Sequence, residues 1–374
     1  MKKKNLIIGL TVAALLIACI VTLALIPNNP VSDLLGIIGS EKCVHNYTSY
    51  TLSGIPTYDT PASVQSTCTR CQEIRTQSVT AATGLLYETD DEGNVRIVSA
   101  DNVKGSILYI SSKQPNGASV DIIGESVFFE NNFEAIFIEE GIRAMEDNAF
   151  SHSTTLKEIH LPGSIETYGS YTFAGCTNLT TAVLAPNTTK LGMNQFYECS
   201  SLTTINLPDG IQDLPLGLFF GCTALTEIQL PNSLVNVGAE AFASCPQLKS
   251  IEFPETLKEI YPNSFAGCTS LKTLSIPALD TLHFNAFLGC TGLKTVFLSG
   301  GIKTIEVNGS DGPFYCCSSD LTLYTDAQEK PSGWSDHFEN YSSDVADEDG
   351  GELNEDAYQN LKVVYGCSLS DFPG

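Results

Sequence analysis

The stretch SFAGCTSLKTLSIP at residues 264–277 decides the fold, because the chain repeats it. Its phenylalanine, Phe265, belongs to the series Phe150, Phe173, Phe196, Phe219, Phe242, Phe265 and Phe287, spaced by 23 residues five times and then by 22. Three residues after each stands Ser153, Cys176, Cys199, Cys222, Cys245, Cys268 or Cys290. Three further on come Leu156, Leu179, Leu202, Leu225, Leu248, Leu271 and Leu293. Apolar pairs two apart follow, such as Ile159/Leu161, Ile205/Leu207, Ile228/Leu230 and Leu274/Ile276. Proline closes many of the runs, at Pro162, Pro208, Pro231, Pro254 and Pro277. A fixed period near 23 residues is the signature of a leucine-rich solenoid.

Each repeat reads L-x-x-I-x-L, so its two spaced apolar side chains point the same way from one short strand. Phe, Cys and Leu columns then stack into a core that no single repeat could bury. Strands about 4.8 Å apart give nine expected rungs a length of roughly 40 Å. The consensus A-F-x-G-C-T-x-L-K-x-I-x-L-P, best seen in FFGCTALTEIQLPNSLVNVGAEAF (219–242), resembles the BspA-type leucine-rich repeats of bacterial and protist surface proteins. The resemblance covers about residues 82–366. It implies a repeat solenoid, mainly short parallel β-strands joined by irregular or short helical return legs. It also implies a role in adhesion or protein binding. The expected organisation is an N-terminal cap at 82–132, repeats at 133–325, and a C-terminal cap at 326–374. The cap opens with LLYETDDEGNVRIVSA, where a D-E-G-N turn between alternating runs reads as a hairpin. The seven-acid stretch from Asp344 to Asp356 reads as a solvated acidic loop.

Outside the repeats the chain carries two further devices. Lys2, Lys3 and Lys4 precede an uncharged run from Leu6 to Ile26, which as a helix would span about 31 Å, a bilayer core. Residues 1–30 therefore read as a signal anchor, a transmembrane helix that leaves the body outside the cell. The alternative is a lipoprotein anchored at Cys19 of the L-I-A-C run. Residues 41–80 hold Cys43-Val44-His45 and Cys68-Thr69-Arg70-Cys71 in a segment too short for a core of its own. Cys43, His45, Cys68 and Cys71 are four ligands of the types zinc prefers, and a closed tetrahedral site of this kind is structural. A disulfide among the three cysteines is the competing reading outside the cell. The segment also resembles small H-x-Y…C-x-x-C modules of Gram-positive surface proteins.

Composition narrows the function. Among 374 residues, 43 acids face 19 bases, a formal charge of −24, which argues against nucleic acid and against adsorption on anionic lipid. The five histidines are scattered, and no G-x-S-x-G, H-E-x-x-H or phosphate loop is present, so the reading is not an enzyme. The cysteine column reads as small buried apolar side chains, because residues one rung apart lack disulfide geometry. The binding surface expected is the outward strand face, with Phe137, His160, Asn206, Gln229, Glu252 and Phe297 in one column and Phe137 and Phe297 as exposed aromatic anchors. That surface suits an extracellular protein or glycan. The alternative is a structural spacer of a cell-envelope assembly, with the Cys/His module making the contact.

Overall fold

In the computed structural model, the structure describes residues 45–309, 311–336, 338–341 and 359–372. The anchor at 1–30, Cys43 and the acidic loop lie outside the described residues. Among the described residues no helix is long and apolar enough to cross a membrane. The chain divides into two compact units, one comprising the chain to Thr51 with Val64–Gln77, the other Leu52–Ser63 with everything from Ser78. The first is organised on three strands, Tyr47–Ser53, Ala62–Cys68 and Ile74–Val79, paired in that order.

The second unit is a parallel β-solenoid of about 10 turns. Its entry is the expected hairpin: Leu86–Thr89 pairs antiparallel with Val95–Ser99. Asp90 closes the turn by accepting the Asn94 N–H at 2.8 Å through Oδ1. Thereafter all but two turns of chain, those at 227–230 and 250–253, contribute one short strand to the face expected from the L-x-x-I-x-L pattern. Ile107–Ile110, Ala135–Ile138, Glu158–His160, Thr181–Val183 and Thr204–Asn206 form one parallel sheet; Thr273–Ile276, Thr295–Leu298, Thr322–Thr325 and Lys362–Val364 form another. Register steps by one repeat, as in Glu158 opposite Thr181 opposite Thr204.

The return legs differ from the expectation of short helices. Each is a chain of turns plus a two-residue strand, so a second face of parallel pairs appears, for example Asp213–Leu214, Asn236–Val237, Glu259–Ile260, Thr281–Leu282 and Thr304–Ile305. No α-helix occurs among the described residues. The reason is local. Two residues per turn sit in the left-handed region, two before and two after the phenylalanine: Asn194 and Glu198 around Phe196, Glu240 and Ser244 around Phe242. A left-handed residue every few positions stops a right-handed helix from propagating.

Between the faces lies the core. Phe128, Phe150, Phe173, Phe196, Phe219, Phe242, Phe265, Phe287 and Phe314 stack ring on ring, with centroids 5.0 to 5.7 Å apart. The leucine column from Leu156 to Leu293 is fully enclosed. The cysteine column does more than fill space. Each thiol donates to the phenylalanine carbonyl of the preceding turn: Cys176 to Phe150 O at 3.3 Å, Cys222 to Phe196 O at 3.3 Å, Cys317 to Phe287 O at 3.1 Å. Ser153, the one exception in the series, places its Oγ 3.3 Å from Phe128 O in the same way. Burial pushes the Cys176 and Cys245 thiols up to about 12, and those of Cys199, Cys222, Cys268 and Cys290 well above their ordinary value. They are free, protonated thiols.

Candidate functional site

The strand face carries a continuous outward column, and the structure corrects its two ends. Phe137 is only 5 % exposed and Phe297 only 4 %, so neither is the exposed anchor expected. Phe137 lies in register between Tyr109 and His160. The His160 ring stacks on it at 4.2 Å with planes 12° apart. A residue that looks outward from one strand is thus shielded by its neighbours on the adjoining rungs. His160 is half-buried, its Nε2 3.1 Å from Glu158 Oε1. At the far end the terminal Phe372 packs over Phe297 at 5.8 Å and meets the Tyr324 ring edge-on at 5.6 Å. The short 3₁₀ turn Leu369–Asp371 delivers Phe372 to that position.

The middle of the column is open. Val183 is exposed, and so are Asn206, Gln229, Glu252 and Ser275. Asn206 is nonetheless committed: its Oδ1 accepts the Leu184 N–H at 2.7 Å and its Nδ2 donates to Leu184 O at 3.3 Å. It braces the atypical Ala182–Pro186 rung rather than offering its amide to a partner.

Gln229 and Glu252 stand on a feature the sequence does not announce. The parallel ladder stops at Thr204–Asn206 and resumes at Thr273–Ile276, and the two rungs between, around 227–230 and 250–253, have no strand pairing at all. At the lip of this break one main-chain bond survives, Lys249 N–H to Thr226 O at 3.0 Å. A cleft of about 530 Å³ opens over the break, lined by Thr204, Glu227, Gln229, Asn232, Ser250, Glu252 and Phe253 among others. Its lining contains two carboxylates and no lysine or arginine. The apolar side chains beneath, Ile228, Leu230 and Ile251, remain buried. The core is therefore intact and only the strand pairing of these two rungs is missing. Among the lining, Thr204, Glu227 and Ser250 belong to the neighbouring outward column, two residues before Asn206, Gln229 and Glu252. The sequence signal for them is faint: paired rungs carry Thr181, Thr204, Thr273, Thr295 and Thr322 at this position, where the open rungs carry Glu227 and Ser250, but the paired rungs at Ala135 and Glu158 depart from threonine as well. Threonine's branched side chain suits a pleated ladder better than glutamate or serine does. Where the ladder is closed, Thr273 and Thr295 even join their hydroxyls at 3.0 Å.

The other expected site is partly assembled. His45, Cys68 and Cys71 come together with their ligand atoms all within 4.8 Å of one another, Cys71 Sγ lying 3.4 Å from His45 Nδ1. Cys43 lies outside the described residues. A tight turn positions the pair of thiols: Gln72 N–H donates to Cys68 O at 3.0 Å, Cys68 N–H to Glu73 O at 2.8 Å, and Gln72 is left-handed. The Cys68 thiol is pulled down to about 5, first by the Cys71 backbone N–H and further by those of Arg70 and Asn46 and by the His45 ring, against an opposing effect of desolvation. This is the reverse of the core thiols.

The model of the BspA type leucine-rich repeat region matches residues 111–225 and 212–322, in 6 copies. Among solved structures, a leucine-rich repeat protein from Bacteroides ovatus is similar at 24% identity over 64% of this chain and 69% of that one, with a TM-score of 0.49. A leucine rich cell surface protein from Faecalibacterium prausnitzii is similar at 18% identity, over 61% of this chain and 91% of that one, with a TM-score of 0.32. The pneumococcal vaccine antigen PcpA is similar at 19% identity, over 76% of this chain and 80% of that one, with a TM-score of 0.36. No curated protein matches the sequence. With more than half of its length matched by the repeat model, and with the phenylalanine, cysteine and leucine columns in register, the chain belongs to the BspA-type leucine-rich repeat family.

Proposed function

We propose that this is a surface binding protein that holds an extracellular protein or glycan on its strand face, at the cleft over the broken ladder. The observation that carries this reading is the break itself: two adjacent rungs lack strand pairing, and a cleft lies over them, while their core side chains stay packed. Unladdered main chain beside Gln229, Ser250 and Glu252 offers directional hydrogen bonds, and an extended peptide segment matches such a row best. The two carboxylates favour a segment that carries positive charge. The cleft's polar lining of Thr204, Glu227, Gln229, Asn232, Ser250 and Glu252 suits binding through hydrogen bonds. In this reading residues 1–30 anchor the chain and leave the body outside the cell; protease added to intact cells then removes the repeats, and full protection refutes that topology.

A photo-crosslinking amino acid at position 229, in the full chain displayed on cells, tests the site. Crosslinks to a surface component are expected at 229 and not at the exposed return-leg position 198. With the probe kept at 229, Ser250→Arg with Glu252→Arg should abolish them. If the crosslinks survive those changes but vanish in the His45→Ala variant, the contact lies in the Cys/His module and the repeats are a spacer.

A further inference from the structure

We propose that His45, Cys68 and Cys71 ligate a structural divalent metal ion of the zinc class, and that Glu73 is the positioning residue that presents His45 to it through Nδ1. The ligand types come first. Two thiols and an imidazole select a borderline-soft, tetrahedral ion over calcium or magnesium, which take oxygen. The spacing agrees as well. With metal–sulfur and metal–nitrogen bonds of about 2.3 and 2.0–2.1 Å, the edge of a tetrahedron between those atoms is about 3.6 Å. The Cys71 Sγ to His45 Nδ1 separation is 3.4 Å.

The surroundings carry the argument further. His45 Nε2 faces the Glu73 carboxylate at 3.4 Å. A carboxylate at Nε2 favours the proton there, which leaves the Nδ1 lone pair free and aimed at the thiols; metal-bound histidines are ordinarily held in this way. Glu73 Oε1 is in turn approached by the Tyr47 hydroxyl at 3.4 Å. The Tyr47 ring stacks on His45 at 5.3 Å, and the Arg75 guanidinium lies over the Tyr47 ring at 4.2 Å. The imidazole is therefore held by Glu73 and Tyr47, with Arg75 packed against Tyr47. Cys68 is enclosed while Cys71 is exposed, so the site sits at the surface of its sheet with one side covered. Such a small unit gains from a metal what a larger one takes from its core.

Full-length protein, purified under reductant and stripped of metal, is titrated with zinc and, separately, with cobalt. One equivalent bound, with cobalt giving the thiolate charge-transfer and tetrahedral d–d bands, is expected. His45→Ala and Cys71→Ser should lose that stoichiometric binding. Glu73→Gln should still bind one equivalent at saturation but with affinity 10- to 100-fold weaker. No binding by the reduced wild-type chain, or binding that His45→Ala and Cys71→Ser leave unchanged, overturns the site. Unchanged affinity in Glu73→Gln overturns the positioning role alone.

Discussion

Replacing Cys222 asks whether the cysteine column is selected for volume or for its donor. Cys222 is fully enclosed, and its Sγ lies 3.3 Å from Phe196 O, which also accepts the Cys199 N–H at 3.1 Å. Cys222→Ala deletes one buried sulfur, about 1 kcal/mol of transfer energy if sulfur is counted as slightly more than a methylene. The cavity and the lost thiol bond bring the expected cost to about 1–2 kcal/mol; the carbonyl keeps its main-chain partner, so no orphan penalty is added. Cys222→Ser behaves differently. Ser153 already occupies the equivalent place one column-end away, with Oγ bonded to Phe150 O of its own turn at 2.6 Å and 3.3 Å from Phe128 O of the preceding turn. A hydroxyl at 222 should find Phe219 O and Phe196 O in the same manner. Such a bond, about 0.5–1.5 kcal/mol, offsets much of the hydroxyl's desolvation of about 1–3 kcal/mol. Serine should therefore cost no more than alanine. Cys222→Val keeps apolar volume, lacks a donor and adds a branch to a packed column, for about 1–3 kcal/mol. Urea unfolding of the full chain under reductant, followed by circular dichroism, measures all three. Trp334, the single tryptophan and 2 % exposed, supplies a second probe near the end of the array, and coincident midpoints justify a single free energy. Serine costing over 1 kcal/mol more than alanine refutes the reasoning, because the hydroxyl would then have no carbonyl to reach.

Alkali should unfold the protein steeply. The buried thiols have folded-state pKa values raised above the ordinary 9.0, to about 12 for Cys176 and Cys245. Their contribution is thus fully present below pH 9 and is lost as pH rises toward 12, at about 1.4 kcal/mol per unit for each thiol ionised in the unfolded chain; flat stability from pH 8 to 11 contradicts this. Ser244→Gly should stabilise by about 0.5–1 kcal/mol, since Ser244 holds φ 58° where Gly221, Gly267 and Gly289 stand in neighbouring turns, and a lower melting temperature would count against it. Asn206→Ala should cost about 1–3 kcal/mol by freeing both polar groups of the Leu184 main chain, and a loss below 0.3 kcal/mol in urea would show that water replaces the amide at no cost.

The periodic columns were legible because each is a local pattern: Phe, then Cys three later, then Leu three later, repeats whatever the rungs do to one another. The glycine of F-x-G-C was legible for the same reason, as it marks the left-handed position that Glu198 and Ser244 occupy at a cost. What the outward column meets is not local. The shielding of Phe297 depends on Phe372, 75 residues further along, and that of Phe137 on rings one rung away on either side. The open rungs were harder still. Their apolar pattern, L-x-x-I-x-L at Leu225–Leu230 and L-x-x-I-x-F at Leu248–Phe253, follows that of the closed ones, and Glu227 has a counterpart in the paired rung at Glu158. Of the metal site, the ligand set was legible in C-x-H and C-x-x-C, whereas Glu73 emerged only when the hairpin placed it behind His45.

The two faces of the solenoid are interrupted at different heights. On the strand face pairing is lost from Asn206 to Thr273; on the return face it is lost between Lys190 and Asp213, the step at which Thr181–Val183 and Thr204–Asn206 are still joined. From Asp213 to Thr281 the return face is continuous, directly behind the open cleft. No step between neighbouring turns therefore lacks both ladders. Like a wall laid in staggered courses, the array has no straight joint along which it can part. A pull along its length, such as shear on a tethered cell would apply, must break hydrogen bonds and unstack phenylalanines at every level.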